Sequence, residues 1–350
     1  MSLRRIFPAV SILALAAATS VAAQGFEPPA TPPPEWGVTA IDFSNVPYPY
    51  PVEFLDTEVY GQHLRMAYMD VAPTGTPNGR TVVLFHGFNF GMYAFEETME
   101  ILSAAGFRTI AVDRLGFGRS SKPIMHYNFH IPVRDTKRLL DHLGIERAAI
   151  LGHSMGGMVV SRFAMSYPET TTHAVFVNQI GMSDSRPGEE WEEPEYDGEH
   201  PTPQEYYEQI LGAQRRYYVA GWRPEYLKWV EAPYGLIFSG EFDRWLEVRG
   251  LLSQTMWEDP VVYDWQHISS KALVIGGADD PLSRNFPAEA RRVAESLQNA
   301  ELILYPNVGH NPQFENREQF HADLIRFLLS DPSEPADQSW RDSDWGREGR

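Results

Sequence analysis

The tightest constraint on this chain is Gly152-His153-Ser154-Met155-Gly156, a serine with a glycine two places before it and two places after. The run before it, Ala148-Ala149-Ile150-Leu151, is short and wholly apolar, as a buried strand requires. The run after it, Gly157 to Ala164, reads as a helix that must end before Pro168. A strand that turns directly into a helix holds the residue between them in a strained backbone conformation, and only small residues at those flanking positions avoid a clash. The serine hydroxyl is thereby pushed out above the sheet edge. Beside it lie the first N–H groups of the helix, which have no carbonyl partner of their own.

The rest of the chain supplies the sheet that such a turn needs. Glu53–Tyr60 and His63–Val71 read as a hairpin joined at Gly61-Gln62. Thr81 to Phe85 is a continuous apolar run, the pattern of a strand buried on both faces. Phe95–Ala105 reads as a helix closed by Gly106, Arg108–Val112 as a strand, and Tyr127–Leu143 as largely helical. His173–Gln179 then reads as a strand. After an interruption the rhythm resumes with strand Ala272–Ile275, helix Glu289–Leu297, strand Glu301–Tyr305 and a last helix opened by Asn316. In that helix Asn316 and Gln319 have capping-box spacing, and Phe320, Leu324, Phe327 and Leu328 share one face. Alternating strands and helices, with several wholly apolar strands, indicate an α/β fold around a mostly parallel sheet.

The interruption, residues 183–262, is an insertion between core parts 51–182 and 263–330, and it reads as a cap or lid. Its first third carries ten acidic residues against one arginine between Ser183 and Glu208, the pattern of a solvated face. The remainder is rich in tyrosine and tryptophan, either as the cap's own core or as pocket lining. Residues 1–23 have the form of a cleaved export signal: Arg4-Arg5, an apolar run from Ala9 to Ala18, and Val21-Ala22-Ala23 before Gln24. The apolar run is short for a bilayer span, so a periplasmic or secreted protein without a stable membrane anchor is expected. Residues 24–50 are a proline-rich arm, and 331–350 a polar tail expected to be disordered. A net charge of −18 argues against nucleic acid as a partner. With no cysteine, thiolate chemistry and disulfides are excluded. The scattered histidines His126, His130, His142, His200, His267 and His321 have no metal-ligand spacing, and Gly116-Phe117-Gly118 lacks the third glycine of a dinucleotide loop. Neither metal nor cofactor is expected; the partner is a small-molecule substrate, and oligomeric state is not legible.

A serine hydroxyl at neutral pH needs a base within hydrogen-bond reach, and the base needs a group that fixes its tautomer. Two strands run into loops that carry such groups: Val274-Ile275-Gly276-Gly277-Ala278-Asp279-Asp280-Pro281, and Tyr305-Pro306-Asn307-Val308-Gly309-His310. Both loops follow parallel core strands, so they emerge at the same sheet edge as Ser154. The chain order Ser154, aspartate, His310 and the motifs His86-Gly87-Phe88, Asp113-Arg114-Leu115-Gly116-Phe117-Gly118-Arg119-Ser120 and Gly309-His310 together resemble the α/β-hydrolase superfamily. The nearest branch contains small esterases, carbon–carbon hydrolases, cofactor-free haloperoxidases and proline iminopeptidases.

That resemblance implies an α/β-hydrolase fold with a mainly helical cap. It implies Ser154 as nucleophile, His310 as general base and then acid, and an orienting aspartate. Counting from Gly277 gives Asp280 and counting from Gly276 gives Asp279; Asp280 is preferred. The backbone N–H groups of Phe88 and Met155 would form the oxyanion hole, while Asp113 would brace the loop before Gly116. His86 and His153 are expected to pack rather than react. Asn89 and Phe90 depart from the common His-Gly-x-Gly pattern, which leaves the floor of the acyl pocket open. Hydrolysis of a carboxylic ester through an acyl-enzyme is the first expectation. Carbon–carbon hydrolysis and aminopeptidase activity use the same three side chains, and a ligand-binding protein on this scaffold is the non-catalytic alternative.

Overall fold

Eight strands form one sheet in the order β1-β2-β4-β3-β5-β6-β7-β8, in a computed structural model whose described residues are 26–188 and 200–346. β1 (Glu53–Val59) and β2 (Gln62–Val71) pair antiparallel, and the loop between them places Tyr60 and Gly61 at φ of 50° and 75°. Positive φ at both central residues is the backbone of a two-residue hairpin turn, so the turn falls one residue earlier than expected. β3 (Thr81–Phe85) is followed by α1 (Glu96–Ala104), β4 (Arg108–Asp113) and α2 (His130–His142). β5 (Ala148–His153) leads directly into α3 (Met155–Ser166), then β6 (Thr171–Val177). β2 meets β4 antiparallel, and every later pairing is parallel.

The cap enters between β6 and β7. It contains α4 (Pro203–Arg215), α5 (Lys228–Gly235) and α6 (Phe242–Glu258). α4 starts at a true capping box: Thr202 Oγ1 accepts from the Glu205 N–H, and the Glu205 carboxylate accepts from the Thr202 N–H. The chain then returns to the sheet with β7 (Lys271–Gly277), α7 (Phe286–Ser296), β8 (Ala300–Tyr305), the single turn α8 (Pro312–Glu315) and α9 (Arg317–Leu329). The capping box expected at Asn316 does not form. Asn316 closes α8 through its N–H to the Pro312 carbonyl while opening α9, and Gln319 turns to Asp323 instead.

The sheet is buried on both faces. On one, Val83, Phe85, Ile150 and Phe176 meet α2, α3 and α7; on the other, Val82, Leu84, Leu151 and Leu273 meet α1 and α9. The cap's aromatic residues form a third core with Phe43, Phe90 and Tyr93 from the body. Among its described residues, 26–50, the proline-rich arm contains neither helix nor strand, yet it is packed rather than merely draped. Phe43 is buried, the Thr39 N–H bonds the Gly235 carbonyl, and the Tyr207 hydroxyl donates to the Pro29 carbonyl.

The expected disorder of the tail is corrected for residues 331–346. Trp340 is buried, and its Nε1–H donates to the Ala300 carbonyl at 3.0 Å. Residues 1–25, which include the expected export signal, residues 189–199 of the acidic segment and residues 347–350 lie outside the described residues. Among the described residues no helix is long and apolar enough to cross a membrane.

Candidate active site

Parallel strands deliver their C-terminal loops to one edge, and β3, β5, β6, β7 and β8 each place a polar residue there. Ser154 sits between β5 and α3 at φ 56° and ψ −122°, a conformation that side chains other than glycine rarely adopt. The turn is held because the Ser154 N–H bonds the Val177 carbonyl at 2.9 Å and the Ser154 carbonyl accepts from the Gly157 N–H. No side chain fits at its flanks. A methyl group at Gly152 would overlap the Gly156 carbonyl, and one at Gly156 would overlap the Phe85 carbonyl. Met155 is the first residue of α3, so its N–H has no partner within the helix. The β3 turn runs directly against this point, since a Cβ at Gly87 would lie 3.1 Å from the Ser154 Cβ. Phe88, the other expected backbone donor, is the next residue.

His310 follows β8 and is 1% exposed; Asp280 follows β7 and is 4% exposed. His310 Nδ1 lies 2.7 Å from Asp280 Oδ2, so the tautomer that donates from Nδ1 presents Nε2 as its acceptor nitrogen. Of the two neighbouring aspartates, therefore, Asp280 reaches the imidazole; Asp279 accepts from the Asn307 N–H instead. Asp280 also accepts from Asn178 Nδ2 at 2.8 Å and from the Leu282 N–H at 2.9 Å. Burial pushes the Asp280 carboxyl up, but the facing imidazole and these hydrogen bonds outweigh it and hold the group below its usual value.

His153 ties Ser154 to the histidine loop. Its Nε2–H donates to the His310 carbonyl at 2.9 Å, and the two rings lie 4.9 Å apart. Burial first, and then the neighbouring His310, bring its pKa down to about 3, so it stays neutral. The His86 Nδ1–H bonds the Gly87 carbonyl, and burial followed by Arg114 keeps that ring neutral as well. Its Nε2 lies 3.8 Å from Asp113, which is no ion pair for an uncharged ring. Asp113 braces the loops, accepting from the Met92 and Arg119 N–H groups and from the Tyr48 hydroxyl. The preference for packing roles at His86, His153 and Asp113 thus matches their contacts.

Sequence reasoning missed Asn178 and Arg249, and read Tyr217 only as one of the cap's aromatic residues, either core or pocket lining. Asn178 stands just past β6 at φ 37° and links two loops, accepting from the Gly277 N–H while donating to Asp280. A polar residue directly after an apolar parallel strand was its one visible signal. Tyr217, from the cap, accepts the His310 N–H on its carbonyl and packs its ring 5.0 Å from the imidazole. Its hydroxyl accepts from Asn89 Nδ2 at 2.6 Å. Two cavities flank the site. One, of about 230 Å³, lies between the cap and the Phe88–Gly91 turn; the other, of about 480 Å³, touches Asp280 and Gln179.

The family described as the alpha/beta hydrolase fold matches residues 80–317. The chain is 30% identical over 284 residues to a 2-hydroxy-6-oxononadienedioate/2-hydroxy-6-oxononatrienedioate hydrolase of Paraburkholderia phymatum, covering 77% of this chain and 92% of that one. It is 26% identical over 283 residues to a non-heme chloroperoxidase of Streptomyces lividans, covering 73% and 94%. Among solved structures, a "probable hydrolytic enzyme" from Pseudomonas aeruginosa superposes with a TM-score of 0.75 at 33% identity, covering 84% of this chain and 99% of that one.

Proposed function

The chain belongs to the α/β-hydrolase family, and on that premise we propose that it is a serine hydrolase acting on a small carboxylic ester through an acyl-enzyme. The observation that carries this reading is the buried 2.7 Å His310–Asp280 pair, tied to the turn of a serine held at positive φ on a helix N-terminus by the bond from His153 to the His310 carbonyl. Ser154 Oγ attacks the ester carbonyl and passes its proton to His310 Nε2. Asp280 fixes the tautomer and stabilises the imidazolium that forms. The N–H groups of Phe88 and Met155 receive the oxyanion, each worth about 3 kcal/mol of barrier. His310 then gives its proton to the departing alcohol, and water, deprotonated by the same nitrogen, releases the acid and regenerates the serine.

Carbon–carbon bond hydrolysis is the second reading, favoured by the similarity to the Paraburkholderia hydrolase along most of both chains. An epoxide-opening route through an aspartate nucleophile is disfavoured, because a serine occupies position 154. Export from the cytoplasm, resting on residues 1–23, belongs to the same proposal.

The test is reaction with a fluorophosphonate probe, followed by turnover of short nitrophenyl esters and of a vinylogous diketone. Wild type is expected to label at Ser154. Ser154→Ala should lose labelling and at least about ten-thousand-fold in kcat. Asp280→Asn should lose about ten-thousand-fold, far more than Asp279→Asn. Turnover of the diketone alone would favour the carbon–carbon reading, and a protein that neither labels nor turns over would be a binding protein.

A further inference from the structure

A cationic side chain stands in the wall of the smaller cavity, and the reaction at Ser154 does not use it. Arg249, on α6, is the single charged residue among those lining that cavity, whose other walls are mostly aromatic and aliphatic. Its Nη1 donates to the Phe88 carbonyl and its Nη2 to Asn89 Oδ1, each at 2.7 Å. The guanidinium carbon lies over the Phe88 ring, 3.6 Å from its centre, and 5.4 Å from the centre of the Trp245 ring. Among the described residues no carboxylate pairs with it; its hydrogen-bond partners are a backbone carbonyl and an amide oxygen. Desolvation brings its pKa down to about 10, so it remains a cation at neutral pH.

A half-buried guanidinium without a counter-charge is costly, because neutral hydrogen bonds only partly replace the hydration it loses. As a clamp between cap and body, a neutral glutamine or a backbone contact would serve with less desolvation. The cavity supplies what a clamp does not need: space beside the charge, and further polar groups facing the same space. Gln214 lines the same wall and is 1% exposed; its Nε2 donates to the Asn89 carbonyl, and its Oε1, with no partner among the described residues, offers an acceptor for an N–H or O–H of an occupant, leaving Arg249 as the group that meets an anion. The position relative to the chemistry is also specific, since Arg249 rests on Phe88, the residue whose N–H is assigned to the oxyanion.

Resting on the hydrolase reading above, we infer that this cavity is a carboxylate subsite, in which Arg249 receives an anionic group carried by the substrate one residue away from the reacting carbonyl. Arginine's planar fork suits a carboxylate, and the low-dielectric aromatic walls strengthen the pairing. The cap thereby selects substrates by charge as well as by shape. Asn89, which departs from the common turn sequence, acquires a role: it bridges Arg249 to Tyr217, and Tyr217 packs against His310.

Two matched substrate pairs test this. Mono-(4-nitrophenyl) adipate against 4-nitrophenyl hexanoate places the charge on the acyl side; 4-acetoxybenzoate against phenyl acetate places it on the alcohol side. Wild type is expected to prefer the anionic member of one pair at least tenfold in kcat/KM, chiefly through KM. Arg249→Met should erase that preference, and Arg249→Lys should retain part of it. Binding is read separately in Ser154→Ala protein by calorimetric titration with 4-hydroxybenzoate, adipate and the neutral 4-hydroxybenzamide. Anion binding that disappears in Ser154→Ala/Arg249→Met supports the subsite even if no ester is turned over. Turnover of neutral esters without any anionic preference, together with no anion binding, overturns the subsite while leaving the hydrolase reading intact. A thermally stable Arg249→Met that weakens both members of each pair equally also overturns it, leaving Arg249 a clamp.

Discussion

The imidazole of His153 is closed in by the His310 carbonyl, the His310 ring and the Phe90 ring, with Gly87 against its other edge. Its folded pKa of about 3 lies below the unfolded value of 6.5, so between those limits only the unfolded chain takes up the proton. The stabilisation is complete above pH 6.5 and is lost as pH falls toward 3. His173, brought down to about 4 by burial and then by Arg80, acts with the same sign. His153→Asn should therefore flatten the fall of unfolding free energy between pH 6 and 4 by up to about 1.4 kcal/mol per pH unit. Urea titrations across that range measure it, and an unchanged slope would show that His153 is not buried neutral. Ser154, His310 and the aspartate pair were legible because each directly follows a strand-like run or its glycine turn. The choice between the aspartates needed side-chain directions, which spacing alone does not give. Asn178 and Arg249 were hidden because their partners lie 102 and 161 residues away in the chain.

At the level of elements, the β5–α3 junction decides more than any single contact. A helical glycine ordinarily costs up to about 1 kcal/mol relative to alanine, so Gly156→Ala taken alone should stabilise α3. The overlap of its methyl with the Phe85 carbonyl acts the other way, and backbone cannot swing aside as a flexible side chain would. Overpacking wins: Gly156→Ala is expected to destabilise the fold by about 3 kcal/mol and to reduce labelling of Ser154. Chemical denaturation with probe labelling of the native fraction checks both. The strands and most helices were legible from apolar runs and glycine stops. The capping boxes were not, because Thr-Pro-Gln-Glu and Asn-Arg-Glu-Gln both have suitable spacing and only the backbone entering each helix decides which closes.

Across the whole molecule, both ends of the described chain are built into the body. Arg291 on α7 donates to the carbonyls of Trp340, Arg341, Ser343 and Trp345, gathering the tail into a loop against β8. One buried tryptophan in a polar segment gives no periodic signal, so composition alone reads as disorder. Trp340→Ala is expected to cost about 3 kcal/mol and to release the tail to proteolysis, with Ser154 labelling retained at low temperature. Limited digestion followed by mass measurement tests it, and equal resistance in both proteins would contradict it. The opposite end has a different consequence. Arg119 donates to the carbonyls of Phe43 and Val46, while Pro29 accepts from Tyr207, 178 residues further along. During synthesis the arm emerges before the cap, and much of its docking surface is made of cap helices translated long afterwards. The arm must wait, unseated, until those helices have been made and folded, and only then can Phe43 close its side of the cavity.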